Sequence, residues 1–149
     1  LESTKLAAYY FRGGYPQLSQ EEVLDYCADA LCRCHHAGVR VIRLGLHDTP
    51  SLREHLLAGY FHPAYGELAE SRLYLRQLKA AAADCGKPEL FVETAPRTMS
   101  KVLGQHGCNR KALAEQGVSL RVRENAAVAA GTILAEQQVY EIFSERNQR

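Results

Sequence analysis

Hydrophobic positions along the chain switch between helical and strand-like periods. Leu1 to about His47 reads as helix, turn, helix, strand. Gly13-Gly14-Tyr15-Pro16 breaks the first helix, and Ser19 followed by Glu22 has the spacing of a capping box for the second. That second helix is expected to run to about His36 and to stop at Ala37-Gly38. Val39-Arg40-Val41-Ile42-Arg43-Leu44-Gly45-Leu46 then has the β-branched, alternating character of a strand. Thr49 to Gly86 predicts helix with a break, the aromatic-rich run Gly59-Tyr60-Phe61-His62-Pro63-Ala64-Tyr65-Gly66 being the interruption. From Glu67 onward Leu68, Leu75 and Leu78 mark one apolar helical face, ending at Cys85-Gly86.

The stretch from Val92 to Val122 reads as strand, helix, Gly104-Gln105-His106-Gly107, helix, strand. Asn125 to Gly131 is a small-residue loop, and Thr132 to Phe143 is expected as a strand running into a short helix. The strand–helix–Gly-x-x-Gly–helix–strand order resembles the core of a KH domain, whose loop lets a nucleic-acid backbone approach closely. Glycines permit the tight turn and keep side chains out of the way of phosphates.

Charge is unevenly spread. Between Arg97 and Arg123 the cations are Arg97, Lys101, Arg110, Lys111, Arg121 and Arg123 against Glu115 alone, a local +5 in a chain of net +1. Phosphate binding needs such a surplus. A solvated pair of small helices would display the same charges. The candidate nucleic-acid contacts are therefore Lys101, Gly104, Gln105, His106, Gly107, Arg110 and Lys111.

A length of 149 residues fits one ordinary domain or two small ones, and 46% hydrophobic with 23% charged residues is the composition of a soluble globular protein. No apolar run approaches the roughly 20 residues that span a bilayer, and the first twelve residues do not form a signal peptide. Five cysteines, an odd number without scaffold spacing, suggest reduced thiols and a cytoplasmic location. A start at Leu1 rather than methionine reads as a piece of something longer.

Leu6, Tyr10, Gly14, Tyr15 and Pro16, then Leu18-Ser19-Gln20-Glu21-Glu22, then Ala37 to Leu46, resemble the end of the radical SAM barrel in proteins akin to the Elongator catalytic subunit. Such sequences are commonly named as related to oxygen-independent coproporphyrinogen III oxidase. Tyr60 to Ser71 is similar to the aromatic-His-Pro-Ala segment that follows the barrel in a bacterial branch, and Ser100 to Gln105 with Asn109 resembles that branch's C-terminal region. The family's three-cysteine cluster motif is absent, and His47 stands where a glutamine is expected. The resemblance implies the C-terminal portion of a longer enzyme. The iron–sulfur cluster and S-adenosylmethionine are then expected only in that parent protein, with no cofactor in this chain. It also implies tRNA or a similar RNA as partner, together with the rest of the parent.

Other clusters invite chemistry. Cys32-Arg33-Cys34-His35-His36 has zinc-ligand residue types, but its spacing offers two ligands at most, so no metal site is assigned. Cys27, Leu31 and Cys34 are expected on the buried helical face with Leu24, leaving Cys32 more open. Arg43 and His47, which alternate with Gly45 toward a strand end, and His62 in its aromatic loop are candidate substrate contacts. Glu67 and Glu70 read as a carboxylate pair on a solvated helix. No catalytic residue is assigned.

The expected architecture is α/β (α+β). Residues 1–48 form the end of a partial βα barrel, 49–86 a helical connecting segment, and 87–149 a KH-like βααβ unit with a C-terminal extension. The expected role is an accessory domain of a radical SAM enzyme that contributes RNA or substrate binding. The rivals are a stand-alone nucleic-acid-binding module and a part of a coproporphyrinogen oxidase-like enzyme acting on a small molecule.

Overall fold

Ser19 starts the long N-terminal helix as its spacing predicts. In the computed structural model, which describes residues 1–16 and 18–144, its hydroxyl accepts the Glu22 N–H while the Glu22 carboxylate accepts the Ser19 N–H at 2.7 Å. Ahead of it lies α1 (Lys5–Phe11), capped by Thr4, and α2 (Gln20–His36) follows from the capping box. Gly38 ends α2 in a left-handed conformation; its N–H bonds the His35 carbonyl and the Val39 N–H bonds the Cys34 carbonyl, a Schellman closure. After a short α3 (Pro50–Glu54) comes α4 (Tyr65–Cys85), ended by Gly86 at φ 64°.

The buried stripe of α2 is Leu24, Ala28 and Cys32, at four-residue spacing. Cys27 and Cys34 are only half-buried, so the expected buried face is corrected by about a quarter of a turn. What sets the rotation is α4. Glu21, Asp25 and Asp29 lie on the neighbouring edge of α2 and meet Arg72 and Arg76 there. Arg72 contacts Glu21 and Asp25, whereas Arg76 contacts Asp25 and Asp29 at 3.0 and 2.5 Å. The contacts advance together along both helices, so α2 and α4 run in the same direction.

A mixed sheet in the order β2-β1-β3-β4 packs on the other side of α4. Strand β1 (Glu89–Thr94) pairs in parallel with β2 (Ser119–Glu124), and α5 (Met99–Leu103) and α6 (Cys108–Ala114) form the crossover between them. Leu90, Val92 and Thr94 turn inward against α4, Val102, Leu113 and Leu120, while Phe91 faces outward. The mixed α/β class and the βααβ order are those expected from the sequence.

Two expectations are overturned. Residues 39–46 form no strand, and Val39, Val41, Ile42 and Leu46 lie exposed, Ile42 at 90%. A strand needs a hydrogen-bonding neighbour, and among the described residues no strand pairs with this segment. Thr132 to Phe143 is a hairpin, not a strand running into a helix. Strand β3 (Thr132–Ala135) returns as β4 (Gln138–Glu141) through Glu136 and Gln137, at φ 47° and 66°. That two-residue turn has the twist a hairpin wants, but it lacks the Asn-Gly chemistry that would announce it. The last five residues of the expected 87–149 unit lie outside the described residues.

Candidate functional site

The Gly-x-x-Gly turn sits where α5 gives way to α6, at the end of the crossover from β1. Gly104 is buried, with φ 76° and ψ 160°, a region that only glycine occupies readily. A Cβ there would lie 2.4 Å from Cys108 Sγ and 3.0 Å from the Asn109 backbone nitrogen. Gly107 has φ 71° but open space around it, so its requirement is conformational alone. Both glycines are thus accounted for by the turn, which leaves Gln105 and His106 exposed at its tip.

Asn109, buried at the start of α6, braces the turn from beneath. Its Nδ2 donates among four oxygens: the Ser71 carbonyl and hydroxyl and the Val102 carbonyl at 3.0 Å, and the Lys101 carbonyl at 3.3 Å. Periodicity alone does not single out this residue, because a buried amide breaks the apolar pattern instead of continuing it.

His62 reaches the same turn from the aromatic segment before α4. Its Nδ1 accepts the Ala64 N–H at 3.1 Å, and its Nε2 lies 3.3 Å from Gln105 Nε2. With Nδ1 serving as acceptor, a neutral ring carries its proton on Nε2, so the Gln105 amide must turn its oxygen toward the imidazole. A cleft of about 230 Å³ lies here, lined by His62, Glu67, Ser71, Lys101, Gln105 and His106 among others. Two regions read separately from the sequence, His62 and the loop with Lys101, therefore meet at one place.

The basic stretch is less uniform than its sequence. Burial works against the charge of Lys101, but its ion pair with Glu70, helped by the nearby Glu67 carboxylate and Tyr74, outweighs that and holds the ammonium above its usual value. Glu70 is consequently not a merely solvated acid. Arg121 pairs with Glu89 and Arg123 with Glu93, on the open face of the sheet beside Phe91, whose ring lies 5.3 Å from the Arg123 guanidinium. Arg97, Arg110 and Lys111 have no side-chain ion pair among the described residues. Arg110 is exposed just beyond the turn, and Lys111 rims a groove with Glu21, Arg72 and Glu115. The positive charge left over by pairing is centred on the start of α6.

Arg43 and His47 do not join this cleft. Both are exposed in the irregular segment before α3, where His47 adjoins Asp48, itself paired with Arg53. Cys32 is sealed in the core with Sγ 3.9 Å from the Ile142 carbonyl, and the described residues contain no group of three His, Cys, Asp or Glu side chains placed to hold a metal.

Comparison with known proteins bears on half of the chain. Residues 1–75 match the family model of the Radical_SAM C-terminal domain, a span that ends within α4 after His62, Glu67, Glu70 and Ser71 and before the turn at Gly104. No curated protein and no solved structure matches the chain.

Proposed function

Since this chain belongs to the Radical_SAM C-terminal domain family, we propose that it is the accessory portion of a radical SAM enzyme and presents an RNA-binding surface at Gly104–Gly107. The observation that carries the accessory reading is the parallel run of α2 and α4. Two neighbouring helices of one chain can run the same way only if the chain between them travels back, and residues 37–64, with the short α3, make that return. In a βα layer the returning piece is a strand. The alternating segment from Val39 to Leu46, extended in sequence pattern and exposed in its apolar side chains, suits a strand that pairs with a neighbour supplied by the parent barrel.

Cluster chemistry is not assigned to these residues. A family cluster would need several thiolates converging on one point, whereas Cys32 faces the core and Cys27 and Cys34 sit elsewhere around α2. The chain's own contribution is recognition. The turn exposes Gln105 and His106, and unpaired Arg110 and Lys111 supply charge beside it. A tRNA-like RNA is the partner this surface suits, its backbone passing the glycine turn and its phosphates meeting the two cations.

Fluorescence anisotropy with tRNA and a short single-stranded RNA, at two salt concentrations, tests the RNA reading. Binding should weaken steeply with salt, as counterion release requires. The Arg110→Glu/Lys111→Glu variant, changed only at exposed positions, should bind weakly while its circular dichroism matches the wild type. Absence of wild-type binding at low salt, or equal binding by the folded variant, would leave the turn as architecture.

A further inference from the structure

We propose that the cleft between His62 and Gln105 is a subsite for a nucleobase bearing an amino group; this rests on the RNA reading of the adjoining turn. Glu70 spends its carboxylate on Lys101. Glu67, one helical turn earlier on the same wall, has a carboxylate with no hydrogen bond or ion pair among the described residues. Lys101 thus answers to two carboxylates, Glu70 in an ion pair and Glu67 through space, and the three groups together carry one net negative charge. A phosphate is repelled from such a place, although the cations beyond the turn attract one nearby.

The polar groups that remain match the edge of a base. Gln105 Nε2 lies 3.3 Å from His62 Nε2; with the amide turned so that its oxygen meets the Nε2–H, the Gln105 amide hydrogens become donors at the cleft. Glu67 can only accept. A base that offers an exocyclic N–H to Glu67 and a ring acceptor to Gln105 satisfies both, as cytosine does with its N4 amino group and N3. Uracil presents a carbonyl oxygen where that amino group stands, and two acceptors would then face each other. A volume near 230 Å³ has room for a single unstacked base, the form in which RNA sequence is usually read.

Oligocytidylate and oligouridylate octamers test this directly, since the two pyrimidines share shape and stacking surface. The wild type should bind the cytidylate about tenfold tighter, the discrimination that one well-made base contact provides. Glu67→Gln, which keeps size and removes the acceptor-only charge, should bring the two affinities together. Arg110→Glu/Lys111→Glu should instead weaken both octamers equally. Equal wild-type affinity for the two octamers, or discrimination that survives Glu67→Gln, would overturn the subsite while leaving RNA binding intact. Failure of the wild type to bind either octamer or tRNA would remove the RNA reading and the subsite together.

Discussion

Asn109 on α6 holds Ser71 on α4 twice, its Nδ2 lying 3.0 Å from both the serine carbonyl and the serine hydroxyl. The same amide reaches the Val102 carbonyl in the last turn of α5, so three helices share one side chain. Asn109→Ala would leave buried acceptors without a donor and should cost about 1–3 kcal/mol in urea unfolding. Asn109→Asp should cost more, because the oxygen replacing Nδ2 would bring a buried charge against three carbonyl oxygens, with only the Ser71 hydroxyl there able to donate.

The two glycines of the turn should behave differently. Gly104→Ala meets both a forbidden backbone region and the Cys108 sulfur, for an expected loss of about 2–4 kcal/mol. Gly107→Ala has space and pays only for its left-handed backbone, about 1–2 kcal/mol. Equal losses in paired thermal and urea melts would contradict this division of roles.

Thiol labelling reads the rotation of α2. Cys108, exposed at the turn, should react first with a maleimide in the native state, and Cys32 last. Burial pushes the Cys32 and Cys27 thiols up, so both should label faster as the pH rises. Mass spectrometry after timed quenching gives the order; early modification of Cys32 would refute the packing of α2.

Acid should loosen the start of α2. The Ser19 backbone N–H and then its hydroxyl hold the Glu22 carboxyl below the usual glutamate value. A lowered value means the contribution is complete above the ordinary glutamate range and fades as the pH falls through the lowered one. Helicity followed by circular dichroism should therefore decline over that acid window in the wild type. Glu22→Gln, which does not titrate, should lack this component.

The capping box, the Ala37-Gly38 stop, the Gly86 stop and the βααβ order were all legible because each rests on neighbours in sequence. The rotation of α2 was not, since an i, i+3 and an i, i+4 stripe both satisfy its apolar pattern and Arg72 and Arg76 decide between them. The charge count from Arg97 to Arg123 misled for a related reason: Glu70, Glu89 and Glu93, which pair with Lys101, Arg121 and Arg123, lie outside that window. His62 and the turn were each readable as polar loop residues. Their meeting was not, because 42 residues of helix and strand bring them together. Residues 39–46 carry a strand's pattern without a strand's partner.

The four-residue ladder on α2 also fixes where along α4 the helix can lie. Glu21, Asp25 and Asp29 are followed at the same spacing by Arg33, a residue of opposite sign. Sliding α2 by one turn, about 5.4 Å, in the direction that brings Arg33 level with Arg76 sets two guanidiniums against each other. Sliding it the other way strands Asp29 beyond the last arginine. Small apolar side chains such as Ala28 would tolerate either shift, so the greasy surface by itself leaves the alignment degenerate. The acid-to-base reversal at Arg33 acts as a molecular vernier, admitting one alignment of two otherwise interchangeable surfaces.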